Sequence, residues 1–186
     1  DGVYIDEELL SGFRDYQLDG VKFLEQRDGV GILGDEMGLG KTVQALGYLK
    51  IHPENFPALV ICPASLKLNW EKEAIKWLGI SKYDIHIFSS RNAYQLGRSR
   101  KLYIINYDIL KDWVHIIKQL CIQTVIGDEI QMVANMGTPK KPVLRTNAFL
   151  AISKSSSSKI MLSGTPIKSY PSEFFTILNL IAPGVF

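Results

Sequence analysis

An α/β fold, with a parallel sheet covered by helices on both faces, follows from two features of the sequence. Short apolar runs rich in Ile and Val recur along the whole chain, and longer stretches with helical spacing lie between them. Runs of four to six residues suit buried strands better than helices. Strands that alternate with helices pair in parallel. The chain has 186 residues, 46 % hydrophobic and 22 % charged, an ordinary globular composition that excludes disorder, collagen and coiled coil. At this length roughly 70 % of the unfolded surface can be buried, enough for one domain with a real core.

Taken in order, Asp15–Gln26 sets Tyr16, Leu18, Val21, Phe23 and Leu24 roughly on one face and predicts the first helix. Val30–Leu33 predicts the first strand, and a helix over Lys41–Lys50 opens straight after a Gly-rich turn. Ala58–Cys62 is the next strand. Ser65–Leu78 follows as a helix, with Leu66, Trp70, Ile75 and Trp77 among Lys and Glu and with Ser65 as its expected N-cap. Tyr83–Phe88, Leu102–Asn106, Ile122–Gly127 and Lys159–Leu162 predict four more strands. A helix over Pro171–Ile181 closes the series; Pro in its first turn costs nothing, because an N–H there has no intrahelical partner. Met136–Pro142 and the Ser-rich Ser153–Lys159 read as exposed loops within the domain, and no internal repeat is visible.

The net charge of +2 neither demands nor excludes nucleic acid. Cys62 and Cys121 lie far apart inside apolar runs and read as reduced core residues of an intracellular protein. No apolar stretch approaches the ~20 residues that span a bilayer. The acidic start Asp1–Leu10 carries no signal-peptide pattern, so no membrane is expected as a partner.

Two constellations carry chemistry. Gly34-Asp35-Glu36-Met37-Gly38-Leu39-Gly40-Lys41-Thr42 joins a predicted strand to a predicted helix, the context a nucleotide's phosphates require. Glycines let backbone N–H groups turn toward phosphate, and the helix start adds partial positive charge. Lys41 would reach the β- and γ-phosphates, and the Thr42 hydroxyl would coordinate Mg²⁺. Asp35 stands where the general pattern has Gly, which argues against a small GTPase or kinase. The second constellation is Asp128-Glu129 at the end of a buried strand. Here the first carboxylate holds the metal, usually through water, and the second orients and deprotonates the attacking water. Between Lys41 and Asp128 there is room for two or three strands of a parallel sheet. Together the halves form a two-part ATPase site.

These residues resemble the first RecA-like lobe of superfamily-two helicase-like motors, specifically the Swi/Snf-type DNA translocases, from Phe13 to about Phe186. Phe13-Arg14-Asp15-Tyr16-Gln17 is similar to the segment in which a Gln reads the adenine edge. Asp35–Thr42 matches the family's own form of the phosphate loop, Asp35 included. Ile61-Cys62-Pro63-Ala64-Ser65-Leu66, with Asn69-Trp70, looks like motif Ia; Ile104-Ile105-Asn106-Tyr107-Asp108 takes the place of the next DNA-facing segment. Asp128-Glu129-Ile130-Gln131, with Asn135, corresponds to the acidic box, and Leu162-Ser163-Gly164-Thr165-Pro166-Ile167, with Glu173, resembles motif III. Ile130 replaces the family's usual small Ala and Ala134 a common basic residue; neither removes a metal or phosphate ligand, so altered packing is expected. Gln131 replaces the commoner His, and its amide can reach toward Ser163.

The resemblance implies an ATP-dependent double-stranded DNA translocase or remodeller that uses ATP and Mg²⁺. Gln17, Asp35, Glu36, Met37, Gly38, Leu39, Gly40, Lys41 and Thr42 would bind ATP. Thr42 and Asp128 would hold the metal, Glu129 would activate water, and Thr165 would link the phosphate state to the DNA grip. DNA strands are gripped by their phosphates, here at Pro63–Ser65 (Pro63, Ala64, Ser65), at Asn106–Tyr107 and at Gly164–Thr165. The family's motor has a second such lobe, whose arginines stabilise the transferring phosphate, and residues 1–186 correspond to the first alone. An arginine of that kind is worth roughly 10³–10⁵ in rate, so the chain by itself is expected to bind nucleotide weakly and turn it over very slowly. A non-catalytic nucleotide- or DNA-binding module that retains the fold is the alternative of another class. An RNA helicase of the same superfamily is a third reading, against which the phosphate loop and Asn69-Trp70 argue by resemblance.

The clusters Arg98, Arg100, Lys101 and Lys140, Lys141, Arg145 read as solvated charge. Trp70, Trp77 and Trp113 read as core, and His52, His86 and His115 lack metal-ligand spacing.

Overall fold

Six strands lie in one sheet, in the order β1-β6-β5-β2-β4-β3, and every neighbouring pair is parallel. They are β1 (Val30–Gly34), β2 (Ala58–Cys62), β3 (Ile85–Ile87), β4 (Leu102–Asn106), β5 (Thr124–Gly127) and β6 (Ser158–Ser163). The connecting helices are α1 (Asp15–Gln26), α2 (Lys41–Ile51), α3 (Lys67–Leu78), α4 (Leu110–Lys118), α5 (Lys140–Ser153) and α6 (Ser172–Ile181). This computed structural model describes residues 3–34, 40–133, 140–164, 169 and 172–184.

Because successive side chains of a strand point to opposite faces, each strand feeds two cores. Val60 and Cys62 of β2 and Ile104 of β4 pack with Leu46 and Leu49 of α2 and with Trp70 and Ala74 of α3. Leu59 and Ile61 of β2 and Ile105 of β4 face the other way, onto Trp113 of α4, Phe149 of α5 and Phe174 of α6. Helices therefore cover both faces, with α1–α3 on one and α4–α6 on the other. Strands β2, β4 and β5 are buried along their whole length, which is why they read as unbroken apolar runs. Every strand runs the same way, so the chain leaves all of them at one edge of the sheet. Gly34, Cys62, Ile87, Asn106, Gly127 and Ser163 are the last residues there. That edge is where an open α/β sheet binds its ligands.

Four expectations change. A 3-10 turn over Ala64–Leu66 precedes α3, whose N-cap is Leu66 with no side-chain cap; Ser65 lies inside that turn and does not cap. The helix α5 takes in Lys140–Pro142, so the loop expected over Met136–Pro142 ends earlier, and its residues 136–139 lie outside the described ones. Its Pro142 sits in the first turn, where no ladder hydrogen bond is lost. The Ser-rich segment is exposed only in part: Ser155 and Ser157 face solvent, whereas Ser153, Ser156 and Ser158 are inside, and the Ser156 hydroxyl donates to the Ser153 carbonyl at 2.7 Å. Such local bonds let serine leave water. Cys121 is exposed, not core, whereas Cys62 is buried, and both are free thiols. Burial pushes the Cys62 thiol up to about 12, the Asp128 charge adding to the effect. No helix among the described residues is long and apolar enough to cross a membrane.

Candidate functional site

Strand β6 lies between β1 and β5, so the segments that follow these three strands meet at the ligand-binding edge. Gly40 and Lys41 open α2, and the free N–H groups of its first turn face that edge. Lys41 is buried, and its Nζ donates to the Ser163 carbonyl at the end of β6 at 2.6 Å. Thr42 is half-buried beside it. Asp35, Glu36, Met37, Gly38 and Leu39 lie outside the described residues, as do Thr165 and Asn135.

Gly40 has φ +96°, a conformation that favours glycine, and a Cβ there would lie 2.9 Å from the Gln17 amide nitrogen. Gln17 is buried, and its Oε1 accepts the Arg14 N–H at 2.9 Å. Its amide NH₂ is thereby turned toward the end of the phosphate loop, at the mouth of a cleft of about 470 Å³ walled by Arg14, Tyr16, Val43 and Trp77.

The acidic pair follows β5. Asp128 stays tied to β2 by its N–H to the Ile61 carbonyl, at 2.8 Å. Its carboxylate accepts two bonds: Oδ2 from the Trp70 indole N–H at 2.9 Å and Oδ1 from the Glu129 N–H at 2.9 Å. The Tyr107 hydroxyl donates to the Asp128 carbonyl at 2.6 Å. Burial raises the pKa of Asp128, while the Trp70 bond and the Lys41 charge act to lower it. Glu129 has φ +49°, left-handed for a residue with a Cβ, a strain worth about 1–3 kcal/mol. The turn turns its side chain toward β6, and the Gln131 amide donates to the Glu129 carboxylate.

Lys41 and Glu129 converge. A Cβ added to Gly164 would lie 3.6 Å from Lys41 Nζ and 3.4 and 3.8 Å from the Glu129 carboxylate oxygens. One ammonium and one carboxylate thus face the same gap, which any side chain at 164 would enter. An anion held there by Lys41 would leave its electrophilic atom open to a water on Glu129. The hard oxygens of Asp128 and Thr42 suit Mg²⁺. Each Asp128 oxygen accepts only one of the bonds just described and keeps a lone pair, so the donor set fits that ion. Among the described residues no group of three or more His, Cys, Asp or Glu is arranged to hold a metal ion by itself.

On the β2–β4 side, Ala64 and Ser65 are exposed and Pro63 half-buried. The side chains of Asn106 and Tyr107, in the turn expected to face DNA, are buried. Gly164 is exposed. Lys67, which the sequence did not single out, joins the two turns, donating to Asn106 Oδ1 at 3.1 Å and to the Phe88 carbonyl at 2.9 Å. Trp70 was expected as plain core. It is fully buried, but its indole N–H serves Asp128, and the family's Asn-Trp pair was its only signal. Trp113 is core as expected, and Trp77 is half-buried, edge-on to Phe13. Ile130 is fully buried. Arg98 and Arg100 are not simply solvated, since both donate to the Tyr83 carbonyl.

The model of the SNF2-related domain matches residues 16–186. Over 98 % of its length the chain is 36 % identical to the Caenorhabditis elegans homolog of SWI/SNF-related matrix-associated actin-dependent regulator of chromatin subfamily A-like protein 1. It is 27 % identical, again over 98 % of its length, to the human DNA annealing helicase and endonuclease ZRANB3. The chain spans only 26 % of the worm protein and 17 % of the human one. Among solved structures, the Sulfolobus solfataricus SWI2/SNF2 ATPase core in complex with dsDNA superimposes with a TM-score of 0.75 at 27 % identity, over 94 % of this chain and 36 % of that one. With a RecA-like sheet, a Lys and an acidic pair at one edge of it, and this match over nearly all of its length, the chain belongs to the SNF2-related family, as the first lobe of a Swi/Snf-type ATPase.

Proposed function

We propose that the chain is the ATP-binding lobe of a motor that couples Mg-ATP hydrolysis to movement on double-stranded DNA. The observation that carries this reading is the gap beside Gly164, faced by the Lys41 ammonium and the Glu129 carboxylate together. Lys41 leaves the Ser163 carbonyl to hold the β- and γ-phosphates of ATP, and the first turn of α2 adds its N–H groups. The Gln17 amide, its oxygen already taken by Arg14, donates to the base. Glu129, steadied by Gln131, orients the attacking water and accepts its proton. Thr42 and Asp128 hold Mg²⁺, which when bound neutralises charge on the phosphates. Asp35, Glu36, Met37, Gly38 and Leu39 complete the phosphate cradle, and Thr165 beside Gly164 carries the phosphate state toward the DNA. Duplex DNA lies by its phosphates against Pro63–Ser65 and the Asn106–Tyr107 turn. A second RecA-like lobe supplies the arginines that complete the site, and the protein works inside the cell, where its substrates are.

The test is ATP turnover by this chain, with and without duplex DNA, beside a protein that carries the second lobe. DNA-stimulated turnover in the two-lobe protein, at least ~10³-fold above this chain, is expected. Nucleotide binding without turnover in both would overturn the motor and leave a binding module.

A further inference from the structure

Asp128 is held from outside its own strand by two aromatic donors, the Trp70 indole at its carboxylate and the Tyr107 hydroxyl at its carbonyl, and each is rooted in one of the two turns that face DNA in the reading above. We infer that Trp70 and Tyr107 are positioning residues that carry duplex binding at those turns to the Asp128–Glu129 pair. The inference rests on the proposed function, since it needs DNA at the turns.

Three observations support it. Trp70 is the fourth residue of α3, and the 3-10 turn holding Ala64 and Ser65 runs into that helix without a break. A displacement of Ser65 therefore moves the indole. The terminal torsion of an aspartate is soft, and the Glu129 N–H alone leaves its plane poorly fixed. The indole bond to Oδ2, from a ring with no exposed surface, fixes that plane. Tyr107 is the residue after Asn106, and its hydroxyl holds the carbonyl of the Asp128–Glu129 peptide. That peptide enters the left-handed Glu129, so its tilt aims the carboxylate at the gap beside Gly164. Lys67 ties the start of α3 to Asn106, so the two turns move as one unit. This path is made of contacts and does not need distant correlation.

Two measurements test it. In the ¹⁵N-labelled chain the three tryptophans give three indole N–H resonances, and Trp70→Phe identifies that of Trp70. Duplex DNA added without nucleotide is expected to shift it. In the two-lobe protein, Trp70→Phe and Tyr107→Phe are expected to cut the ratio of DNA-stimulated to unstimulated turnover by ~5-fold or more at saturating DNA, with the KM for ATP unchanged. A merely structural role lowers stability without touching that ratio. Should Trp70→Phe fail to fold, Tyr107→Phe, which loses one hydroxyl, decides alone. A duplex that binds without moving the indole, or full stimulation in Tyr107→Phe, overturns the relay and leaves the motor standing. A duplex that does not bind the parent protein removes both.

Discussion

The two halves of the sheet do different work at the same edge. The β1-β6-β5 half gathers charged side chains: Lys41 and Asp128 are buried, and Glu129 sits in a strained turn facing Lys41. The β2-β4 half gathers almost none; its turns expose small residues, and its polar side chains Asn106 and Tyr107 point inward, to Lys67 and to Asp128. Charged groups out of water are costly unless paired, so the first half is laced with specific hydrogen bonds. A surface that holds a phosphate backbone without reading sequence needs only exposed N–H groups and shape.

Substitutions break this contrast to different degrees. Glu129→Gln keeps the shape and the contact with Gln131 but removes the base; turnover in the two-lobe protein is expected to fall ~10²–10⁴-fold while nucleotide still binds. Loss of binding instead would mean that Glu129 belongs to the phosphate cradle. Lys41→Ala takes one donor from the transferring phosphate and is expected to cost ~10²–10³-fold in turnover. Intact DNA-stimulated hydrolysis in that variant would sink the phosphate-loop assignment. Lys67→Ala acts on the other half: it leaves the buried Asn106 side chain without this donor, and a stability loss of about 1–3 kcal/mol is expected from urea unfolding, with nucleotide affinity unchanged.

The smallest effect lies away from both halves. Burial pulls the His52 imidazole down, but hydrogen bonds with Glu25 and Glu54 outweigh it and raise its pKa. A raised histidine contributes stability that is complete below its unfolded value near 6.5 and fades as pH climbs through the folded one. The parent should therefore gain, relative to His52→Gln, less than about 1 kcal/mol on going from pH 8 to pH 6. An equal pH dependence in both would remove the His52 contribution.

Much of the fold was legible. Ala58–Cys62 and Leu102–Asn106 are strands with the bounds their apolar runs predict, and Asp15–Gln26 is a helix with the bounds its spacing predicts. The pattern failed where burial did not follow polarity. Ser153 and Ser156 bond to nearby backbone carbonyls and go inside, and α5, with a weakly amphipathic sequence and Pro142 at its start, gave no clear helical signal.

Residue types and spacings alone determined the alternation of strands and helices, the Gly-x-Gly-Lys-Thr segment and the acidic pair, because each is a local matter of periodicity or of chain geometry. The meeting of Lys41, Glu129 and Gly164, and the attachment of Trp70 and Tyr107 to Asp128, were decided only by the tertiary structure. They depend on strand order, which places β6 between β1 and β5 and β2 beside β5. Hydrogen bonds that link residues 122 and 58 positions apart leave no trace in local spacing.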